Sequence, residues 1–211
     1  MDQSSSPRPD ISADAVPRTA QVHRVTGETD IALTLMLDGS GRTRIATGIG
    51  FLDHMLTALG RHALFDLDVA ATGDLHVDFH HTTEDVGIAL GQAFSRAIGD
   101  KRGIRRYGQA LVPMDEALVE AAIDISGRSF LAWSVDFSRD KIGEIDTELF
   151  EEFFRGFASN AGLSLHVTRK AGRNDHHIAE ACFKAVARSL RMASEPDPRT
   201  AGVIPSTKGV L

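Results

Sequence analysis

One stretch of this chain is written twice. Phe79-His80-His81-Thr82-Thr83-Glu84 overlays Asp175-His176-His177-Ile178-Ala179-Glu180, and the apolar helical patterns that follow stay in register without a gap. Carried back through one short loop deletion, the overlay sets Phe51-Leu52-Asp53-His54 on Leu149-Phe150-Glu151-Glu152. A duplicated chain has few options, because both copies must form the same unit. A unit of roughly 90 residues suffices for one small core.

The periodicity of each copy predicts that unit. In the first, strands near 20–26, 30–38 and 42–48 precede a helix at about 51–62, strands near 65–71 and 75–79, and a helix at about 82–98. Ile31, Leu33, Leu35 and Leu37 alternate as in a one-sided strand, whereas Val86, Ala89, Leu90, Ala93, Phe94 and Ala97 mark one helical face. The second copy predicts strands near 107–112, 117–125 and 129–137, a helix at about 147–161, a strand near 163–169 and a helix at about 177–193. The expected fold class is α+β, an internally duplicated unit of mostly antiparallel sheet packed with helices. Around it lie a polar Pro/Ser-rich leader over 1–19, repeats over 20–103 and 104–195, and a tail over 196–211. On composition the tail is either floppy or a loop that docks elsewhere.

The repeated motif points to a metal. Nine histidines accompany a single cysteine, so neither a disulfide framework nor a thiolate zinc site is open to this chain. At a helix start His80 and Glu84 are one turn apart and reach the same cation, while His81 points about 100° away. The same separation splits His176 and Glu180 from His177. Pseudo-twofold pairing then gives one metal His80, Glu84 and His177, and the other His176, Glu180 and His81, with His54 and Glu152 as a further matched pair. Such nitrogen/oxygen sets suit Mn, Fe or Zn. Four protein ligands on an ion that prefers six leave positions for a substrate. His23, His76 and His166 sit in strand-like contexts and read as structural, and Cys182 as a buried thiol.

The formal charge of −6, from 23 Lys and Arg against 29 Asp and Glu, argues against nucleic acid as a partner. No run of about 18 apolar residues occurs, so no membrane span is expected. The leader lacks the apolar stretch of a secretory signal, and the expected location is the cytoplasm.

Several separate motifs resemble the imidazoleglycerol-phosphate dehydratase family: Phe51-Leu52-Asp53-His54-Met55-Leu56, Asp78-Phe79-His80-His81-Thr82-Thr83-Glu84-Asp85, Gly103-Ile104-Arg105-Arg106-Tyr107-Gly108, Pro113-Met114-Asp115-Glu116, Ser126-Gly127-Arg128, Asn174-Asp175-His176-His177 and Pro205-Ser206-Thr207-Lys208-Gly209. The resemblance runs from about Arg24 to Leu211. It implies a fold similar to ribosomal protein S5 domain 2, and a hydro-lyase of histidine biosynthesis. That enzyme would take water from D-erythro-imidazole glycerol phosphate to give imidazole acetol phosphate, with two Mn(2+) per active site. It implies a homo-oligomer as well, a 24-mer built from trimers with sites at subunit interfaces. Carried over residue by residue, the metal ligands are His54, His80, His81, Glu84, His176, His177 and Glu180, with Glu152 where some members have histidine. Glu28 and His62 match substrate contacts, and Arg106, Arg128, Ser206 and Lys208 the phosphate-binding set. Ala58 stands where many members have glutamine.

The chemistry asks for these groups. The substrate loses a feebly acidic C–H proton, and a cation on the imidazole nitrogen favours the ring form that expels the neighbouring hydroxyl. A carboxylate must move the protons, and the candidates are Glu180 and Glu28. Two other readings share the metal motif: a dinuclear metallohydrolase acting on a small phosphorylated substrate, and a metal-buffering shell protein whose doubled motif joins subunits. The hydrolase leaves the phosphate-type tail unexplained.

Overall fold

A computed structural model describes residues 17–200 and 202–211. Each half runs β-β-β-α-β-α. The first contains β1 (Thr19–Val25), β2 (Thr29–Met36), β3 (Thr43–Ala46), α1 (Gly50–Ala63), β4 (Asp66–Gly73) and α2 (His80–Ile98). The second contains β5 (Tyr107–Met114), β6 (Ala117–Asp124), β7 (Phe130–Ser134), α3 (Leu149–Ala161), β10 (Ser164–Ala171) and α4 (Asp175–Ser194), with a small hairpin, β8 (Lys141–Ile142) and β9 (Ile145–Asp146), inserted before α3. The sheets have matching strand orders, β1-β2-β4-β3 and β5-β6-β10-β7. Two pairings in each are antiparallel, and the last, β3 with β4 or β7 with β10, is parallel. A parallel pair needs a crossover, and α1 and α3 supply it.

The leader expected over 1–19 falls mostly outside the described residues. Its last two residues belong to the fold: Arg18 pairs with Asp38 and donates to the Ser194 carbonyl, and Thr19 opens β1. The strand expected near 75–79 is not formed. Val77 N–H closes a turn onto the Asp74 carbonyl, and Asp74 N–H bonds the Glu28 carbonyl. Leu75 packs toward Gly48.

One face of each sheet is covered by its helices, and the helix pairs meet back to back, α2 on α3 and α1 on α4. The α2–α3 contact is close because glycines line it. A Cβ on Gly87 would lie 2.4 Å from the Phe153 carbonyl oxygen, and one on Gly91 2.5 Å from that of Phe157. From α3, Phe150, Phe153, Phe154 and Phe157 fill the core beneath, all essentially without solvent contact. Both helix pairs therefore present their N-terminal turns, where the repeated motif lies, on fixed supports.

Candidate active site

The first turn of each motif helix is pinned by the residue two places before its first histidine. Asp78 Oδ1 accepts the His80 N–H at 2.8 Å, and Asn174 Oδ1 accepts the His176 N–H at 3.1 Å. From this start the one-turn spacing brings His80 Nε2 within 3.6 Å of Glu84 Oε2, and His176 Nε2 within 3.3 Å of Glu180 Oε2. The start of α1 is tied down by Thr47, whose N–H and hydroxyl both donate to Asp53 Oδ1.

Because α1 packs on α4, His54 joins the second pair. Its Nε2 is 3.2 Å from Glu180 Oε2, and the rings of His54 and His176 lie 5.8 Å apart with the Phe51 ring edge-on to both. Among the described residues His54, His176 and Glu180 form the one group of three donors close enough to hold a metal ion. The donor set, two imidazoles and a carboxylate, fits a divalent transition-metal cation such as Mn, Fe or Zn. Lys184, another turn along α4, sits 2.6 Å from Glu180 Oε1. Burial alone would raise the Glu180 carboxyl, but the bonds from Lys184 and His54 outweigh it and hold it below the usual range. Two turns beyond His54, His62 is pushed down by burial and by the nearby Lys184 and Arg188 cations, with Glu180 opposing in part. A strip of His54, His62, Glu180 and Lys184 thus runs between the two helices.

The equivalent strip in α2–α3 differs. Glu152 is paired with Arg155 at 3.4 Å and does not complete a three-donor group with His80 and Glu84. His81 and His177 stand apart from these pairs, each held by carboxylates of its own repeat. His81 Nδ1 is 3.0 Å from Asp74 Oδ2, and its Nε2 3.6 Å from Glu28 Oε1. The bond to Asp74, aided by the Glu28 charge, raises the His81 imidazole. His177 Nδ1 is 2.9 Å from Glu116 Oε2. Glu116 also accepts the N–H groups of Arg173 and Asn174, and with His177 these hold its carboxyl down to about 2. Glu28 is positioned from below: Arg24 and Thr29, at either end of its turn, both bind Asp85 of α2.

The expected phosphate set lies at the other end of the molecule. Arg106, at a left-handed φ of 72°, grips Asp124 through Nε (2.7 Å) and Nη2 (3.1 Å), and donates from Nη1 to the Pro205 carbonyl at 2.8 Å. Together with bonds from Gly103 N–H to the Val203 carbonyl and from Arg102 to the Gly202 carbonyl, this docks the tail carrying Ser206 and Lys208. Arg128 is exposed and has no ion-pair partner among the described residues. The last residue, Leu211, lies beside neighbouring Gly127, as does the Lys101 ammonium. Sequence reasoning passed over Lys184 and Asp74; an acid and a base one turn apart on α4 were the available signal for Lys184.

Fold and site together define a class: an internally duplicated α+β enzyme with histidine–carboxylate donors at matched helix starts and a cationic, tail-bearing far end. Comparison narrows it. The family model for imidazoleglycerol-phosphate dehydratase matches residues 47–190. The imidazoleglycerol-phosphate dehydratase of Gluconacetobacter diazotrophicus is 75% identical over 194 residues, covering 92% of this chain and 98% of that protein. The crystal structure of the dehydratase from Staphylococcus aureus superposes with a TM-score of 0.78 at 40% identity, over 85% of this chain and 99% of that one. That from Pyrococcus furiosus gives 0.78 at 36% identity, over 90% and 100%. The chain belongs to the imidazoleglycerol-phosphate dehydratase family.

Proposed function

We propose that this hydro-lyase, which dehydrates imidazole glycerol phosphate in histidine biosynthesis, works with two manganese ions and with sites completed by a neighbouring subunit. The carrying observation is the gathering of His54, His176 and Glu180 donors within 4.8 Å of one another. His80 and Glu84 offer the matched pair for the second ion, with His81, His177 and Glu152 as the remaining donors. Bound manganese would supply Lewis acidity at the imidazole ring.

Distance supports the shared site. Arg106 bonds the Ala193 carbonyl near the end of α4, whereas Glu180 is near its start. Thirteen helical rises separate those rungs, about 20 Å along the axis. A three-carbon chain bearing an imidazole and a phosphate is much shorter than that, which supports a second chain bringing phosphate ligands to the donors of the first. Tyr107, Leu111 and Phe130, each 58% exposed on the outer face of the second sheet, offer apolar surface for such contacts. We assign the assembly to a 24-subunit particle of trimers, and its location to the cytoplasm. Among the described residues no helix is long and apolar enough to cross a membrane.

The residues divide the work. Glu180 is committed to His54, His176 and Lys184, and holds its charge as a ligand. Glu28 is half exposed and, among the described residues, pairs only with His81, so it is the carboxylate free to carry the C–H proton. Arg128, Ser206 and Lys208, with Arg106 anchoring the tail, hold the phosphate. Replacement of each carboxylate tests the division. Glu28→Gln should keep both manganese ions and lose turnover, whereas Glu180→Gln should lose an ion. Near-full turnover by Glu28→Gln removes Glu28 from the role.

A further inference from the structure

The two repeats orient their outlying histidines by different means. In the second, the β5–β6 turn carries Asp115 and Glu116, and Glu116 binds His177 Nδ1. The matching turn of the first repeat, between β1 and β2, carries Glu28, which does not reach His81 Nδ1. That nitrogen is taken by Asp74, the residue directly after β4. The residue directly after β10 is Gly172, with no side chain to offer. A carboxylate has therefore been kept on the same ring nitrogen in both halves, from unrelated positions.

We infer that Asp74 and Glu116 are positioning residues for metal binding, an inference that rests on the two-manganese reading above. A carboxylate accepts, so each Nδ1 carries the proton and each Nε2 is the nitrogen left with a lone pair for a cation. Both rings remain reachable, with side chains 35% exposed for His81 and 24% for His177. Glu116 is itself rigid: its Oε1 accepts the N–H groups of Arg173 and Asn174 while Oε2 faces His177. Asp74 is held by its backbone bond to Glu28, and its Oδ1 is buried with no hydrogen-bond partner among the described residues. Because Asp74 orients His81 in the first repeat, Glu28 is released from the duty that its counterpart Glu116 performs. The duplication has thereby freed one carboxylate of a symmetric pair for proton transfer.

Manganese titration of the metal-stripped full chain tests this, read by the electron paramagnetic resonance of free Mn(2+). Glu116→Gln is a narrow cut: its amide oxygen still caps Arg173 and Asn174, and only the acceptor for His177 is lost. Parent chain should bind two ions. Glu116→Gln and Asp74→Ala should each weaken one of them by about 10- to 100-fold, and the double variant both. Any loss of metal-free stability, read by the urea midpoint, should be small beside the loss of affinity, and Glu116→Asp and Asp74→Glu should recover part of the affinity. The inference is overturned if parent binds two ions and the single variants bind both equally well, or if affinity falls only in step with metal-free stability. A parent chain that binds no manganese would instead overturn the two-manganese reading.

Discussion

Replacing Gly87 with alanine probes the support on which the motif helices rest. The added Cβ would stand 2.4 Å from the Phe153 carbonyl oxygen, 3.1 Å from its carbon and 3.2 Å from its Cα. All three are backbone atoms, so no rotamer change relieves the overlap. Helix α2 must move from α3 by close to an ångström, a gap that forfeits roughly a quarter to a half of each dispersion contact it opens. Overpacking of this kind costs about 1–3 kcal/mol, against about 1 kcal/mol gained from alanine's helix propensity. The net expectation is a loss of up to about 2 kcal/mol. Gly50→Ala, in the first turn of α1 with nothing within 4 Å of its Cβ, is the control and should be neutral or stabilising. Urea unfolding of metal-free protein at one fixed concentration measures both, since association and metal shift apparent stability. Manganese affinity should fall as well, because Gly156 of α3 approaches the Glu84 carbonyl and the wedge shifts Glu84 relative to Glu152. A Gly87→Ala chain as stable as Gly50→Ala would refute the close-packing account.

Two further changes have defined outcomes. Asp66 tends to rise through burial, but the Ser40 and Arg42 N–H groups and the Arg42 guanidinium hold it well below the usual carboxylate range. Its folded value is thus depressed, so its stabilisation is present above the unfolded value near pH 4 and disappears as pH falls through the folded one. Asp66→Asn should therefore be less stable than parent at pH 6 by urea midpoint, with the gap closing below about pH 4. Asp124→Ala removes both carboxylate bonds to Arg106, which among the described residues is the one side chain that holds the Pro205 carbonyl. Trypsin should then cut the tail several-fold faster, and KM should rise more than kcat falls.

The legible part of the fold was the part that repeats. Two helices opening on the same spacing of histidine and glutamate, with apolar faces in register, specify each other as well as themselves. What escaped depends on packing between elements. Leu75 and Val77 alternate like a strand, yet the chain turns there because the Asp74 N–H is claimed by the Glu28 carbonyl. The β8–β9 hairpin is too short and polar to show a period. One-turn spacing is local and foretold the pairing of His176 with Glu180. The arrival of His54 beside them follows from α1 packing on α4, which linear overlay does not contain. For the same reason the overlay matched His54 with Glu152 and could not show that Arg155 engages the latter. Glu116 stood out within Pro113-Met114-Asp115-Glu116, but its role appeared only once His177 lay against it.

The most direct test strips metal from the full chain, supplies imidazole glycerol phosphate, and follows ketone formation and particle size as Mn(2+) is returned. Water elimination should be absent from the stripped protein and return as the second manganese per chain binds, in an assembled particle. Full turnover by metal-free protein, or by a lone subunit, would contradict the account.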